Sequence, residues 1–439
     1  MILSGWSEIL VFSIVLPLVV TPSSTIAFTS DVNYSTRRIC RATGKNSFSS
    51  ALAAGGFGKA PAPSSKKKKK NKKKQKQMEN AVPPYIPYDS YPNNVASGAN
   101  DSGSPSTKQQ TSDFLDWLEE EEIEGLDGVE IGFSKLGTEI GASDNDTADD
   151  NFLRGVFARQ NFRAGEYIMA VPFVSTILLD EEFDATRKPG ETVLRADAPE
   201  IGLHLLKTIN ESNFGGNFRA FLDCLPTSPD DPNFDATPDF WSEKDVRKLE
   251  IPGVIDSMLS RKASIAALSA DQSEPGDAPT LRQCCWMVQS RAFTTYKKAV
   301  DLLGNEGLLS RVVLIPFIDM INHGSRGTAN AEMQVVETKE YDESFYALVA
   351  TKPIRKGEEV RLCYGTGEET ALELFCKYGF LPGVDDPDKE RKALGKLLEG
   401  VEWSTTLEED RAMLSTDEGS REPMRTILSI RIYAKSLFA

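Results

Sequence analysis

The apolar positions fall into distinct regimes along the chain. Ile9–Val20 (ILVFSIVLPLVV) is one apolar run, short for a membrane span and broken by Pro17. From about 29 to 111 neither helical nor strand periodicity is found. Lys, Ser, Pro, Gly and Asn dominate there, which predicts disorder. Periodicity returns near Thr111. Ser112 precedes apolar Phe114, Leu115, Trp117 and Leu118, the pattern of a short capped amphipathic helix. Val129–Phe133 alternates as a strand does, and Asp144–Asn151 reads as an acidic loop. Leu153–Leu179 is rich in β-branched and aromatic residues and predicts short strands around turns at Arg163–Glu166 and Pro172.

Between about 199 and 310 the spacing becomes helical. Ile201–Leu206, Phe218–Leu225, Lys244–Leu249, Ile255–Leu268 and Cys284–Leu303 carry it, punctuated by prolines. Strands return at Val312–Phe317, Ala331–Glu337, Phe345–Ala350 and Glu359–Cys363. A helix follows at about Glu369–Tyr378, then a polar, helix-prone tail over Lys389–Phe438. Strands, helices, strands and a helical tail in that order predict an α+β fold rather than a parallel α/β wrap.

Composition narrows the function classes. The 439 residues carry a net charge of −15, which argues against a nucleic-acid partner. Lys66–Lys76 holds nine lysines, so the remainder is more acidic still, and the run reads as a solvated linker. The six cysteines (40, 224, 284, 285, 363 and 376) form no C-x-x-C pair. With two histidines in the whole chain, no metal site is expected. The leader, with the acid-poor hydroxylated stretch after Phe28, resembles the bipartite targeting leaders of algae with secondary plastids. A plastid location is therefore expected, with the secretory pathway or nucleus as alternatives. No stable membrane span is expected in the mature chain.

Several chemistries are missing. There is no phosphate-binding G-x-x-x-x-G-K-[ST] loop, no glycine-rich dinucleotide turn after a strand, no G-x-S-x-G elbow and no H-E-x-x-H. Acid–base catalysis by paired carboxylates stays open, because 65 acidic residues make such pairs common by chance. The most informative block is Leu314–Gly383. Asn322-His323 follows an apolar strand and precedes Gly324 and Gly327. Tyr364 closes an alternating run ahead of Gly365-Thr366-Gly367, and Tyr378 opens Tyr-Gly-Phe. Read alone, Asp319 and Asn322 could cap a turn, His323 could be a core histidine and Tyr378 could be core as well.

Five motifs in order resemble the SET-domain protein methyltransferases, in particular the class of Rubisco large-subunit lysine methyltransferases. They are Arg154-Gly155-Val156-Phe157-Ala158 with Arg163–Glu166, Ser290–Phe293, Asp319–His323, Val360–Gly365 and Tyr378-Gly379-Phe380. The resemblance covers about Phe114–Pro382. It implies a SET fold over 112–383 with a pseudoknot and a helical insert at about 199–310, preceded by a leader (1–28) and linker (29–111). A shortened helical substrate-binding lobe at 384–439 is implied to follow.

The resemblance implies S-adenosyl-L-methionine as co-substrate, without metal, and a protein substrate presenting a lysine, handled by a monomer. It assigns the donor to Arg154, Ser290, Arg291, Asp319, Asn322, His323, Tyr364 and Phe380. Within that set Asp319 supports the Asn-His turn and Phe380 packs near the adenine. Tyr364 is the implied catalytic tyrosine, and Phe293 and Tyr378 line the target channel. One departure is Ala371, where the family often carries asparagine, and another is an extra residue in the Gly365–Thr370 loop. The implied function is protein-lysine N-methylation of a non-histone protein. The alternatives are a catalytically weak binding module, or a histidine or N-terminal amine as acceptor.

Overall fold

Two sheets carry the molecule. The computed structural model describes residues 85–87, 105–135, 152–186, 198–225, 237–269, 280–301, 303–338, 344–365, 367–382 and 386–438. The leader, the lysine run, Cys40 and the Asp144–Asn151 loop lie outside them.

The larger sheet has eight strands. They are β1 (Tyr85–Pro87), β2 (Val129–Lys135), β3 (Phe152–Ala158), β4 (Tyr167–Pro172), β8 (Asn322–His323), β9 (Ala331–Val336), β10 (Phe345–Ala350) and β11 (Glu359–Leu362). Their order is β1-β2-β3-β11-β9-β10-β4, with β8 added beside β11. The smaller sheet is β5 (Ile177–Asp184), β7 (Glu306–Leu314) and β6 (Phe293–Val300), in that order. Burial follows position. β10 pairs on both edges and is buried from Tyr346 to Ala350, so it needs an apolar run. β9 instead buries Ala331 and exposes Glu332 and Gln334 on its other face.

Helices fill the space between the strands: α1 (Pro105–Glu120), α2 (Pro199–Asn210), α3 (Ser212–Leu222), α4 (Glu243–Arg247), α5 (Pro252–Ser269) and α6 (Leu281–Arg291). After the last strand come α7 (Ala371–Tyr378), α8 (Pro387–Leu398), α9 (Leu407–Leu414) and α10 (Met424–Ser436). The main core joins both sheets to α1, α2, α3 and α6. A second core packs Trp241, Leu249, Ile251 and Phe375 with Leu394, Ile427, Ile430 and Tyr433. The C-terminal helices thus hold α7, and α7 ends in Tyr378.

Three sequence expectations need correction. The stretch 29–111 is not structureless throughout. Tyr85–Pro87 pairs antiparallel with Gly132–Ser134, and α1 already begins at Pro105. Ser112 therefore lies within this helix and does not cap it. Proline fits the first turn because it has no N–H to lose there, while Phe114 stacks on Trp117 and Phe221 from inside.

The helical segment also ends earlier than 310. α6 starts with a capping box between Thr280 and Gln283 and stops at Arg291, where Ala292 turns extended. The expected helix over Cys284–Leu303 is helix to Arg291 and strand from Phe293. Thr294 and Thr295 favour the strand, and β7 supplies a continuous partner from Val313 to Glu306. Finally, β7 ends at Leu314 rather than Phe317. Phe317 adopts φ 69 and ψ −44, and the Ile318 N–H donates to the Pro316 carbonyl at 2.9 Å. This γ-turn is a strained conformation for a side chain of that size. Phe317 is 1% exposed, so packing holds it.

Candidate functional site

Beyond that γ-turn the chain passes through Ile318–Met320 and emerges as β8. β8 runs parallel to β11, with Asn322 opposite Arg361 and His323 opposite Leu362. This pairing draws two segments forty residues apart into one place and aligns His323 with Tyr364. The Tyr364 N–H donates to His323 Nδ1 at 3.1 Å. Nδ1 is therefore an acceptor, and a neutral ring carries its proton on Nε2. The Tyr364 hydroxyl donates to the Ile321 carbonyl at 2.6 Å.

An aromatic cluster surrounds this tyrosine. Ring centroids lie 4.9 Å away for Tyr378, 5.2 Å for His323 and 6.2 Å for Phe380. His323 and Phe380 are 5.6 Å apart. Phe380 reaches the cluster because Gly379 closes α7 in the left-handed region (φ 78), where its N–H donates to the Phe375 carbonyl. Desolvation raises the Tyr364 phenol above its ordinary value and outweighs the attraction of Arg291. Desolvation, with Glu369 and Cys363 adding to it, pushes Tyr378 up to about 12. Both hydroxyls stay protonated at neutral pH.

Asn322 is held from two sides. Its Nδ2 donates to the Arg154 carbonyl at 2.8 Å and to Glu359 Oε1 at 2.8 Å. Glu359, buried at 8% exposure, accepts through Oε2 from Arg361 Nε and Nη2 at 2.9 and 2.7 Å. Asn330, also buried, donates to the Glu359 carbonyl and accepts the Arg361 N–H. Gly155 makes this convergence possible. A Cβ there would stand 2.6 Å from Glu359 Oε1 and 2.8 Å from Asn322 Nδ2. Gly155→Ala is expected to destabilise the fold by ~2 kcal/mol through overpacking, read as a lowered denaturation midpoint in urea.

Arg291 ends α6 and donates through Nη1 to Asp319 Oδ2 at 3.2 Å and to the Asp319 carbonyl at 3.4 Å. Asp319 is buried. Desolvation raises its carboxyl above the ordinary value, against the pull of Arg291 and Arg154. Arg291 Nε and Asp319 Oδ1 are left without hydrogen bonds. Asp319 thus pairs with Arg291 three residues ahead of Asn322.

Two more expected residues, Ser290 and Phe293, and two residues outside the expected set, His204 and Ala371, have contacts of their own. The Ser290 hydroxyl donates back to the Trp286 carbonyl at 2.8 Å, within its own helix. Phe293 starts β6 opposite Val313 and packs on the main core, with no ring contact to the Tyr364 cluster among the described residues. His204, on α2, touches the Leu179 carbonyl. Ala371 belongs to the second core, where its N–H donates to buried Glu390 at 2.6 Å. The structure thus gathers Arg154, Asn322, His323, Tyr364, Tyr378 and Phe380, with the Arg291–Asp319 pair near enough to act on the Tyr364 phenol.

Sequence reading missed Glu359, Asn330, the Ile321 carbonyl and the clearance at Gly155. Glu359 sits in a strand among 65 acidic residues and had no signal beyond its burial. Among the described residues no group of three or more His, Cys, Asp or Glu is placed to hold a metal, and no helix is long and apolar enough to cross a membrane.

A family model described as SET domain matches residues 153–365. The crystal structure of the SET domain of LSMT bound to lysine and AdoHcy superposes with a TM-score of 0.50 at 15% identity. It covers 76% of this chain and 90% of that one. Rubisco LSMT bound to sinefungin and monomethyllysine matches at 16% identity and a TM-score of 0.44, over 76% of this chain and 89% of that one. No curated protein sequence matches the chain. The fold is the SET fold, followed by a helical C-terminal region.

Proposed function

We propose that this chain, which carries a SET domain over residues 153–365, is a protein-lysine N-methyltransferase that uses S-adenosyl-L-methionine and acts on a non-histone protein. One observation carries the reading above the rest. The Tyr364 hydroxyl is pinned to the Ile321 carbonyl, and its ring lies among the His323, Tyr378 and Phe380 rings.

The residues suit such a donor. The Asn322 amide oxygen carries no hydrogen bond among the described residues and is not sealed off, so it can accept from a ligand ammonium. The aromatic faces around Tyr364 attract a cationic centre. When bound, S-adenosyl-L-methionine supplies an electrophilic methyl group on a sulfonium. The chain's part is alignment. Tyr364, fixed by its bond to Ile321, keeps oxygen lone pairs free to orient the reacting centre. The acceptor lysine must be neutral to attack, and desolvation among these rings lowers its affinity for the proton.

The protonation states predict a pH profile. Tyr364 lies above its ordinary value of 10.0 because its ionised form is poorly solvated. Its hydroxyl bond to Ile321 therefore persists as pH rises. The turnover rate should climb with pH as the acceptor amine, ~10.4 when unperturbed, loses its proton. No falling limb from Tyr364 is expected up to ~pH 10. A descending limb near neutrality that vanishes in Tyr364→Phe would contradict this assignment.

The direct test is the full chain with radiolabelled S-adenosyl-L-methionine and a plastid protein extract, with the methylated residue mapped by mass spectrometry. A lysine is the expected acceptor. A histidine or N-terminal amine would replace that part of the reading, and donor binding without any labelled protein would favour a binding module. The compartment is proposed on the leader composition alone. A fusion of residues 1–110 to a fluorescent protein should enter plastids of an alga that has secondary ones.

A further inference from the structure

We infer that Glu359 is a positioning residue whose carboxylate locks the Asn322 amide with its oxygen outward and so selects a ligand bearing a cationic nitrogen. This rests on the methyl-donor reading of the site and adds to it a residue that decides which end of the donor is recognised.

A primary amide has two donor hydrogens on nitrogen and an acceptor oxygen. The group facing the Arg154 carbonyl and Glu359 Oε1 sees two acceptors at 2.8 Å, so only the NH2 side can sit there. Chemistry alone settles the orientation. Both hydrogens are used, and the oxygen is the atom left open. A ligand that meets it must donate.

Glu359 is itself immobilised. Arg361 grips Oε2 with two nitrogens, Asn330 holds its carbonyl, and a Cβ on Gly155 would displace Oε1. Its charge acts through the amide. An N–H bonded to a carboxylate polarises the amide and makes the oxygen a stronger acceptor. The Arg361 guanidinium on Oε2 offsets part of the carboxylate charge, so the preference for an ammonium comes mainly from this polarised oxygen.

The experiment is calorimetry on the full chain with two ligands: S-adenosyl-L-methionine and its analogue lacking the α-amino group. The wild-type protein should prefer the amino-bearing ligand by ~10-fold or more. Equal affinity for the two overturns the inference without any variant. Failure to bind either ligand overturns the methyl-donor reading itself, a distinguishable result. Glu359→Gln keeps the shape and removes the charge. It should weaken S-adenosyl-L-methionine ~10-fold and the deaminated analogue less than ~2-fold. In an Asn322→Ala background the same change should have no further effect on donor affinity. Equal weakening of both ligands, or an undiminished effect without Asn322, would show a merely structural role and sink the proposal.

Discussion

Tyr364→Phe is expected to leave a folded protein that binds the methyl donor and transfers methyl groups at least ~100-fold more slowly, the usual scale for deleting one oriented polar group at a reaction centre. The ring stays in place, because its contacts with His323, Tyr378 and Phe380 involve the ring rather than the hydroxyl. The backbone N–H of residue 364 still donates to His323 Nδ1. Only the bond to the Ile321 carbonyl is lost, which costs ~1 kcal/mol of stability. On the proposed reading, in which Asn322 anchors the donor, donor affinity should change less than ~3-fold, so the loss falls on turnover. Labelling of extract proteins by wild type and variant, at saturating donor, reads this directly. Equal labelling would remove Tyr364 from the chemistry.

Arg291→Ala should have the largest effect on stability, about 4 kcal/mol at pH 8. Asp319 has a side chain only 1% exposed and Arg291 as its one salt-bridge partner among the described residues. Removing the guanidinium strands a buried carboxylate, which can escape only by taking up a proton. That gives the effect a sign in pH. The carboxyl is already raised above its ordinary 3.8 by burial, and losing Arg291 raises it further. A native state that binds more protons than the unfolded state loses stability as pH rises. The deficit should therefore shrink on acidification from pH 8 to pH 5, where protonation relieves the stranded charge. Denaturant midpoints at the two values measure it. A deficit independent of pH would mean that packing of the Arg291 stem, rather than its charge, carries the loss.

Much of the fold was legible from periodicity. β10 matches the strand expected at Phe345–Ala350, because a strand buried on both faces must be apolar throughout. α7 lies inside the expected Glu369–Tyr378 span, trimmed to the capping box at Thr370 and Glu373. Two of the failures share one cause. Phe293–Val300 carries apolar spacing that a helix would also tolerate, and only its partner β7 decides for the strand. Tyr85–Pro87 has no pattern of its own and exists as a strand because β2 offers it an edge.

The site divides in the same way. The sequence by itself determined the chemical inventory: two histidines, an Asn-His pair, a tyrosine at the end of a strand and a Tyr-Gly-Phe closing a helix. Those residues carry their chemistry wherever they stand, and their order in the chain carried the family resemblance. Tertiary structure alone decided which atoms are free. Parallel pairing of β8 with β11 turned His323 Nδ1 into an acceptor and spent both amide hydrogens of Asn322. It also left Ser290 bonded to its own helix and Phe293 in the smaller sheet. Hydrogen-bond capacity is a property of a residue, but its use depends on neighbours far away in the chain, as Asn322 meets Glu359 and Arg154 only after β3 and β11 close around it.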